Sequence, residues 1–205
     1  MWWPNAPLRF SLDGQKAFFG LLFATALISG ASWAFADKTN VTIGGSFSLS
    51  APDGSTVTDE TYRGKWLLVF FGYTSCPDLC PMTLNAIAGV LETFGAAAGQ
   101  LQPIFITVDP ERDTPDVMVK FTKSFDPRIV GLTGSTQQIT AVEKKYGAYS
   151  ELHKAGAPSQ NYLVDHSTYI YIMSPLGKFV RAVAFDTPSD QISQSLRQLM
   201  AQTGE

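Results

Sequence analysis

Apolar runs and polar breaks alternate along this chain in a way that predicts most of its elements. Ala17 to Ala36 holds no charged residue. At about 1.5 Å per residue, such a run makes roughly 30 Å of helix, the thickness of one bilayer core. Arg9 and Lys16 precede it and Asp37 follows it, which leaves the N-terminus cytoplasmic and the rest of the chain outside. The run reads as a single-pass anchor or, because Ala34-Phe35-Ala36 has the small-x-small form, as a cleaved signal peptide. On this reading residues 1–36 are tail and anchor or signal, residues 37–45 a linker, and residues 46–205 one folded domain.

Beyond the linker the pattern is that of an α/β domain. Phe47 to Leu49 and Thr56 to Val57 flank Pro52-Asp53-Gly54, a turn sequence, and predict a small hairpin. Lys65 to Gly72 is a nearly unbroken apolar run and predicts a central buried strand. Leu84, Ile87, Ala88 and Leu91 recur at helical spacing within Met82 to Phe94. Pro103 to Val108 predicts a second buried strand, completing a right-handed parallel βαβ unit. Thr114-Pro115 opens a helix to about Phe125, Ile129 to Leu132 is a short strand, and Ser135 caps a helix through Lys145. Thr168 to Met173 and Lys178 to Ala184 form a hairpin about Ser174-Pro175-Leu176-Gly177. Thr187-Pro188 starts a last helix to about Met200. The expected architecture is a mixed sheet flanked by helices, with parallel strands first and an antiparallel hairpin late.

Composition narrows the chemistry. Of 205 residues 45% are hydrophobic and 16% charged, which excludes a disordered chain. The net charge of −3 gives no basic surface for phosphate, so nucleic-acid partners are not expected. Two Cys are too few for a four-cysteine zinc finger or a four-cysteine iron–sulfur cluster.

The informative stretch runs from Gly72 to Pro81, GYTSCPDLCP, between a buried strand's carboxyl end and a helix start. Open α/β sheets bind ligands there, and a helix N-terminus lowers a thiol's pKa. Cys76 and Cys80 stand four apart, a wider bite than the C-x-x-C of thiol oxidoreductases. That bite suits two thiolates around a metal and still permits a disulfide, either structural or redox-active. His166, between Asp165 and Ser167 before a strand, is expected on a polar, exposed edge loop. With two thiolates it would suit Cu(I), and Cu(II) with an added ligand, its second ring nitrogen oriented by Asp165 or a backbone carbonyl. His153 is read as solvated, Met82 as a core residue rather than a soft ligand. Asp109 to Pro115, DPERDTP, is read as a turn and helix cap with an Arg112–Asp113 ion pair, or as a charged rim that steadies the Cys loop.

Three motifs in order, GYTSCPDLCP, VDPERDTP and Asp165-His166-Ser167, resemble the Sco/SenC/PrrC family, and the resemblance runs from about Gly44 to Met200. It implies a membrane-anchored, thioredoxin-like protein that carries copper, Cu(I) or Cu(II), to the binuclear copper site of cytochrome c oxidase subunit II. It further implies Cys76, Cys80 and His166 as copper ligands, with Tyr73 and Asp165 beside them. The expected setting is a bacterial inner membrane with the domain in the periplasm, where a small copper donor would be a second partner. Family members also have thiol–disulfide activity, in which Cys76 and Cys80 would be the redox-active pair. The strand at Thr168 lacks the preceding proline of thioredoxins, which argues against a general disulfide reductase.

Overall fold

The computed structural model describes residues 42–153 and 162–203. The expected anchor or signal segment therefore lies outside the described residues.

Two strands, β1 (Ser48–Ser50) and β2 (Thr56–Thr58), form the expected N-terminal hairpin. The chain then enters β3 (Trp66–Gly72), every residue of which is buried. α1 (Leu79–Phe94) and a 3-10 turn (Gly95–Gln100) lead to β4 (Leu101–Thr107), buried throughout and parallel to β3. α2 (Pro115–Lys123) crosses to β5 (Val130–Leu132), parallel to β4. α3 (Thr136–Tyr146) follows, started by a capping box in which Ser135 and Gln138 exchange side-chain and backbone bonds. It ends at Gly147, whose left-handed φ of 62° suits a glycine. A short ribbon, β6 (Ser150–His153) with β7 (Leu163–His166), precedes β8 (Tyr169–Met173), β9 (Phe179–Ala184) and α4 (Ser189–Thr203). The five-stranded sheet has the order β5-β4-β3-β8-β9, with β8 antiparallel to β3.

Period-two alternation assigns the two faces of β3. Phe70 stacks on Phe105, which meets Phe121 of α2. Phe71 points the other way, onto Tyr146 of α3 and Tyr171 of β8. Both parallel crossovers step in the same direction, so α1 and α2 cover the Phe70 face. α4 joins α1, its Ser189 abutting Gly89, where an added Cβ would lie 3.0 Å away. Among the described residues, the βαβ unit, the hairpins and helices α1 to α4 fall where the sequence predicts them, with ends shifted by a few residues. The β6–β7 ribbon is an addition. Helical periodicity also corrects Met82. The buried stripe of α1 includes Cys80, Thr83, Leu84, Ile87, Leu91 and Phe94, and Met82, off that stripe, is 51% exposed rather than core.

Candidate metal centre

β3 delivers the chain to Gly72 at the middle of the sheet, and residues 73–78 lead into α1. The helix begins at Leu79, so Cys80 lies in its first turn and Cys76 in the loop before it. Gly72 makes this close return possible: a Cβ there would lie 2.5 Å from Cys80 Sγ and 2.8 Å from Phe105 Cε2. The loop is tied down by Asp113, which is fully buried. Its carboxylate accepts from the Thr74 N–H (3.0 Å), the Thr74 hydroxyl (2.5 Å) and the Thr107 hydroxyl (2.6 Å). Burial pushes the Asp113 carboxyl up, and these three donors partly offset that. The expected Arg112–Asp113 pair is therefore replaced. Arg112 turns to Asp109, three residues back in the same turn, while Asp113 faces inward to steady the Cys loop.

His166 ends β7 and is 7% exposed, not the solvent-facing loop residue the sequence predicts. The rings of Phe70 and Tyr73 cover it, both edge-on at about 6 Å (6.1 and 5.8 Å), and both come from far earlier in the chain. Its Nδ1 lies 2.9 Å from the Ser167 carbonyl. A carbonyl only accepts, so Nδ1 donates and the Nε2 lone pair is free to bind a metal. Of the two expected orienting groups, the carbonyl serves. Asp165 points outward and is hydrogen-bonded to His153 (2.8 Å), which is exposed as expected.

The donor atoms of Cys76, Cys80 and His166 all lie within 4.8 Å of one another, with all three residues buried. Cys80 Sγ is 3.6 Å from His166 Nε2. Neither cysteine is in a disulfide. Cys76 is brought down to about 4, chiefly by a hydrogen bond from the Cys80 thiol, with the backbone N–H groups of Cys80 and Asp78 adding to it against burial. Cys80 is pushed above the ordinary thiol range by its bond to that same sulfur, then by burial. One thiolate, one thiol and one imidazole lone pair thus converge, a soft three-donor set of the kind that selects Cu(I).

Sequence reasoning did not single out Tyr162 or Glu143. Tyr162 is buried, donates from its hydroxyl to Asp109 at 2.6 Å, and is pushed up to about 12 by burial and then by that bond. Glu143 is buried on α3, its carboxyl pushed up by burial. Its signal was available: Ile139, Val142, Glu143 and Tyr146 share one helical face.

A thioredoxin-like α/β domain with a buried Cys-Cys-His centre at the head of its first long helix defines a class of soft-metal and thiol proteins. Residues 36–201 match the SCO1/SenC family, and the chain belongs to it. It is 42% identical over 161 residues to the mitochondrial SCO2 homologue of Bos taurus, covering 77% of this chain and 59% of that protein. It is 39% identical over 156 residues to protein sco1 of Schizosaccharomyces pombe, again spanning 59% of its length. Among solved structures it resembles the copper-bound ScoI of Bradyrhizobium japonicum, with 39% identity, a TM-score of 0.70, and coverage of 76% of this chain and 98% of that one.

Proposed function

We propose that this chain is a copper chaperone, which takes copper at Cys76, Cys80 and His166 and passes it to the binuclear copper site of cytochrome c oxidase subunit II. The observation that carries this reading is the convergence of the two sulfurs and Nε2 within 4.8 Å at buried positions. Copper bound to the ScoI of Bradyrhizobium japonicum supports it. Two sulfurs hold Cu(I) tightly, and a third, nitrogen donor completes the set while leaving a position that an incoming cysteine can take. Transfer then proceeds by stepwise exchange of donors, with the metal as cargo. Residues 1–36 serve as anchor or signal, residues 37–45 as linker and residues 46–205 as the copper-binding domain, facing the periplasm of a bacterial inner membrane. A small periplasmic protein supplies the copper. The test mixes the copper-loaded protein with a metal-free, reduced subunit II copper domain. Copper moving to the acceptor supports the reading; copper staying on the donor under all ratios refutes it.

A second reading is favoured by the asymmetry of the two thiols. The Cys76 thiolate attacks a disulfide of the acceptor, forming a mixed disulfide and releasing one acceptor thiolate. Cys80 then attacks Cys76, releasing the second thiolate and leaving a Cys76–Cys80 disulfide. The acceptor gains two electrons and this protein loses them, one turnover per reduced protein. Reduction of an oxidised acceptor by metal-free protein distinguishes this activity from transfer.

A further inference from the structure

Two of the three donors sit on a loop and helix anchored in the main sheet. The third does not. β6 and β7 hydrogen-bond to each other as a separate two-stranded sheet, and no strand ladder among the described residues joins them to the five-stranded sheet. A ribbon of four residues a side is marginal alone in water. Beyond its run-on into β8, where the Thr168 carbonyl accepts from the Phe185 N–H at 2.9 Å, its seat on the domain comes from side chains. Val164 and His166 point inward and are buried, while Glu151, His153, Leu163 and Asp165 face outward. The Val164 N–H donates to the Tyr73 hydroxyl at 3.3 Å.

The strongest fastening lies at the entry to β7. The Arg112 guanidinium lies over the Tyr162 ring at 3.7 Å from its centroid and faces Tyr73 at 5.5 Å. Its Nη1 donates to the Tyr162 carbonyl at 3.0 Å, and its Nε donates to Asp109. The other oxygen of Asp109 accepts from the Tyr162 hydroxyl at 2.6 Å. Asp109 is itself held at the end of β4 by its N–H bond to the Thr107 hydroxyl, 2.9 Å. A closed ring of contacts thus ties residue 162 to the sheet, four residues ahead of the imidazole. One guanidinium performs three tasks at once: stacking, pairing with a carboxylate and bonding a carbonyl. A lysine supplies the charge without the flat face or the fork.

Building on the copper reading, we infer that Arg112 is a positioning residue for the third ligand, a clasp that seats the β6–β7 ribbon and so keeps His166 within reach of the two sulfurs. It touches no donor atom and acts through Tyr162 and the strand that follows. Arg112→Lys keeps a cation beside buried Asp109 and opens the clasp. Partners one shell out from a metal typically alter affinity 10- to 100-fold, so Arg112→Lys is expected to weaken Cu(I) binding by about tenfold or more.

The experiment is a double-mutant cycle on the full chain, with Cu(I) affinity read by competition against a chromophoric chelator. Hydrogen exchange of the metal-free protein is measured alongside. Arg112→Lys should lose affinity in the unaltered background and lose less than about twofold in the His166→Ala background. In metal-free protein it should speed exchange at residues 163–166 and leave residues 66–72 unchanged. Unaltered affinity, an equal loss in both backgrounds, or unchanged exchange on β7 overturns the clasp. If the unaltered protein takes up no copper, the chaperone reading fails by itself, and the exchange measurement still decides whether Arg112 seats the ribbon.

Discussion

Gly72→Ala probes the tightest contact of the centre. Gly72 has no positive φ, so alanine suits its backbone; the obstacle is space alone. The new methyl would lie 2.5 Å from Cys80 Sγ and 2.8 Å from Phe105 Cε2, both far inside contact distance. Neither neighbour can retreat freely. Phe105 is locked between Phe70 and Phe121, and Cys80 is fully buried in the first turn of α1. Overpacking of this kind costs about 1–3 kcal/mol, and the lower entropy of an unfolded alanine chain returns about 0.4–1 kcal/mol. The net expectation is a loss of about 1–2 kcal/mol, or about 2–8 °C in melting temperature for a domain of this size. Urea and thermal unfolding of the metal-free protein measure it. Gly99→Ala is the control, because a Cβ at Gly99 meets nothing within 4 Å. The Gly72 variant should also bind copper more weakly, since Cys80 has to move. If the two variants unfold alike and bind copper alike, the account of why glycine stands at position 72 is wrong.

Other outcomes follow from the same geometry. Binding of Cu(I) at pH 8 should release close to one proton, from Cys80, because Cys76 already stands as the thiolate. Calorimetry in buffers of different ionisation enthalpy reads that number, and two protons would show Cys76 to be a thiol. Asp113→Asn should destabilise the fold by about 1–3 kcal/mol, since an amide cannot accept from all three donors. Asp113 has a folded pKa raised by burial, so the stability it adds is greatest below its unfolded value and declines as pH rises through the elevated one. The cost of Asp113→Asn should therefore be larger at pH 4 than at pH 7, and the opposite order contradicts the assignment. Ser135→Ala should cost about 1 kcal/mol through the lost cap of α3, leaving copper affinity unchanged.

What the sequence disclosed and what it hid divide along a physical line. β3, β4 and α1 were legible because their burial is written locally, as a continuous apolar run or a stripe at helical spacing. The Cys pair was legible because four residues of one loop and one helical turn set its geometry. His166 was visible as a candidate donor, yet its surroundings were not. Its burial depends on Phe70 and Tyr73, rings far back in the sequence that the fold brings over it. The β6–β7 ribbon was missed because each strand is only four residues long and pairs only with the other, and in Leu163-Val164-Asp165-His166 two apolar residues are followed by two polar ones, so neither an apolar run nor a clear alternation marks it. The Arg112–Asp113 pair was expected from adjacency. The turn at Asp109 instead places Arg112 back over Asp109 and sends Asp113 inward to Thr74 and Thr107, a choice set by burial rather than by order along the chain.

The most direct test of the centre is copper X-ray absorption on the loaded protein, with His166→Ala beside it. The unaltered protein should hold one copper per chain with two sulfur neighbours and one imidazole nitrogen. The variant should keep both sulfurs and lose the imidazole signature. An unaltered protein that binds no copper, or whose copper shows the same neighbours with and without His166, contradicts the three-donor cage.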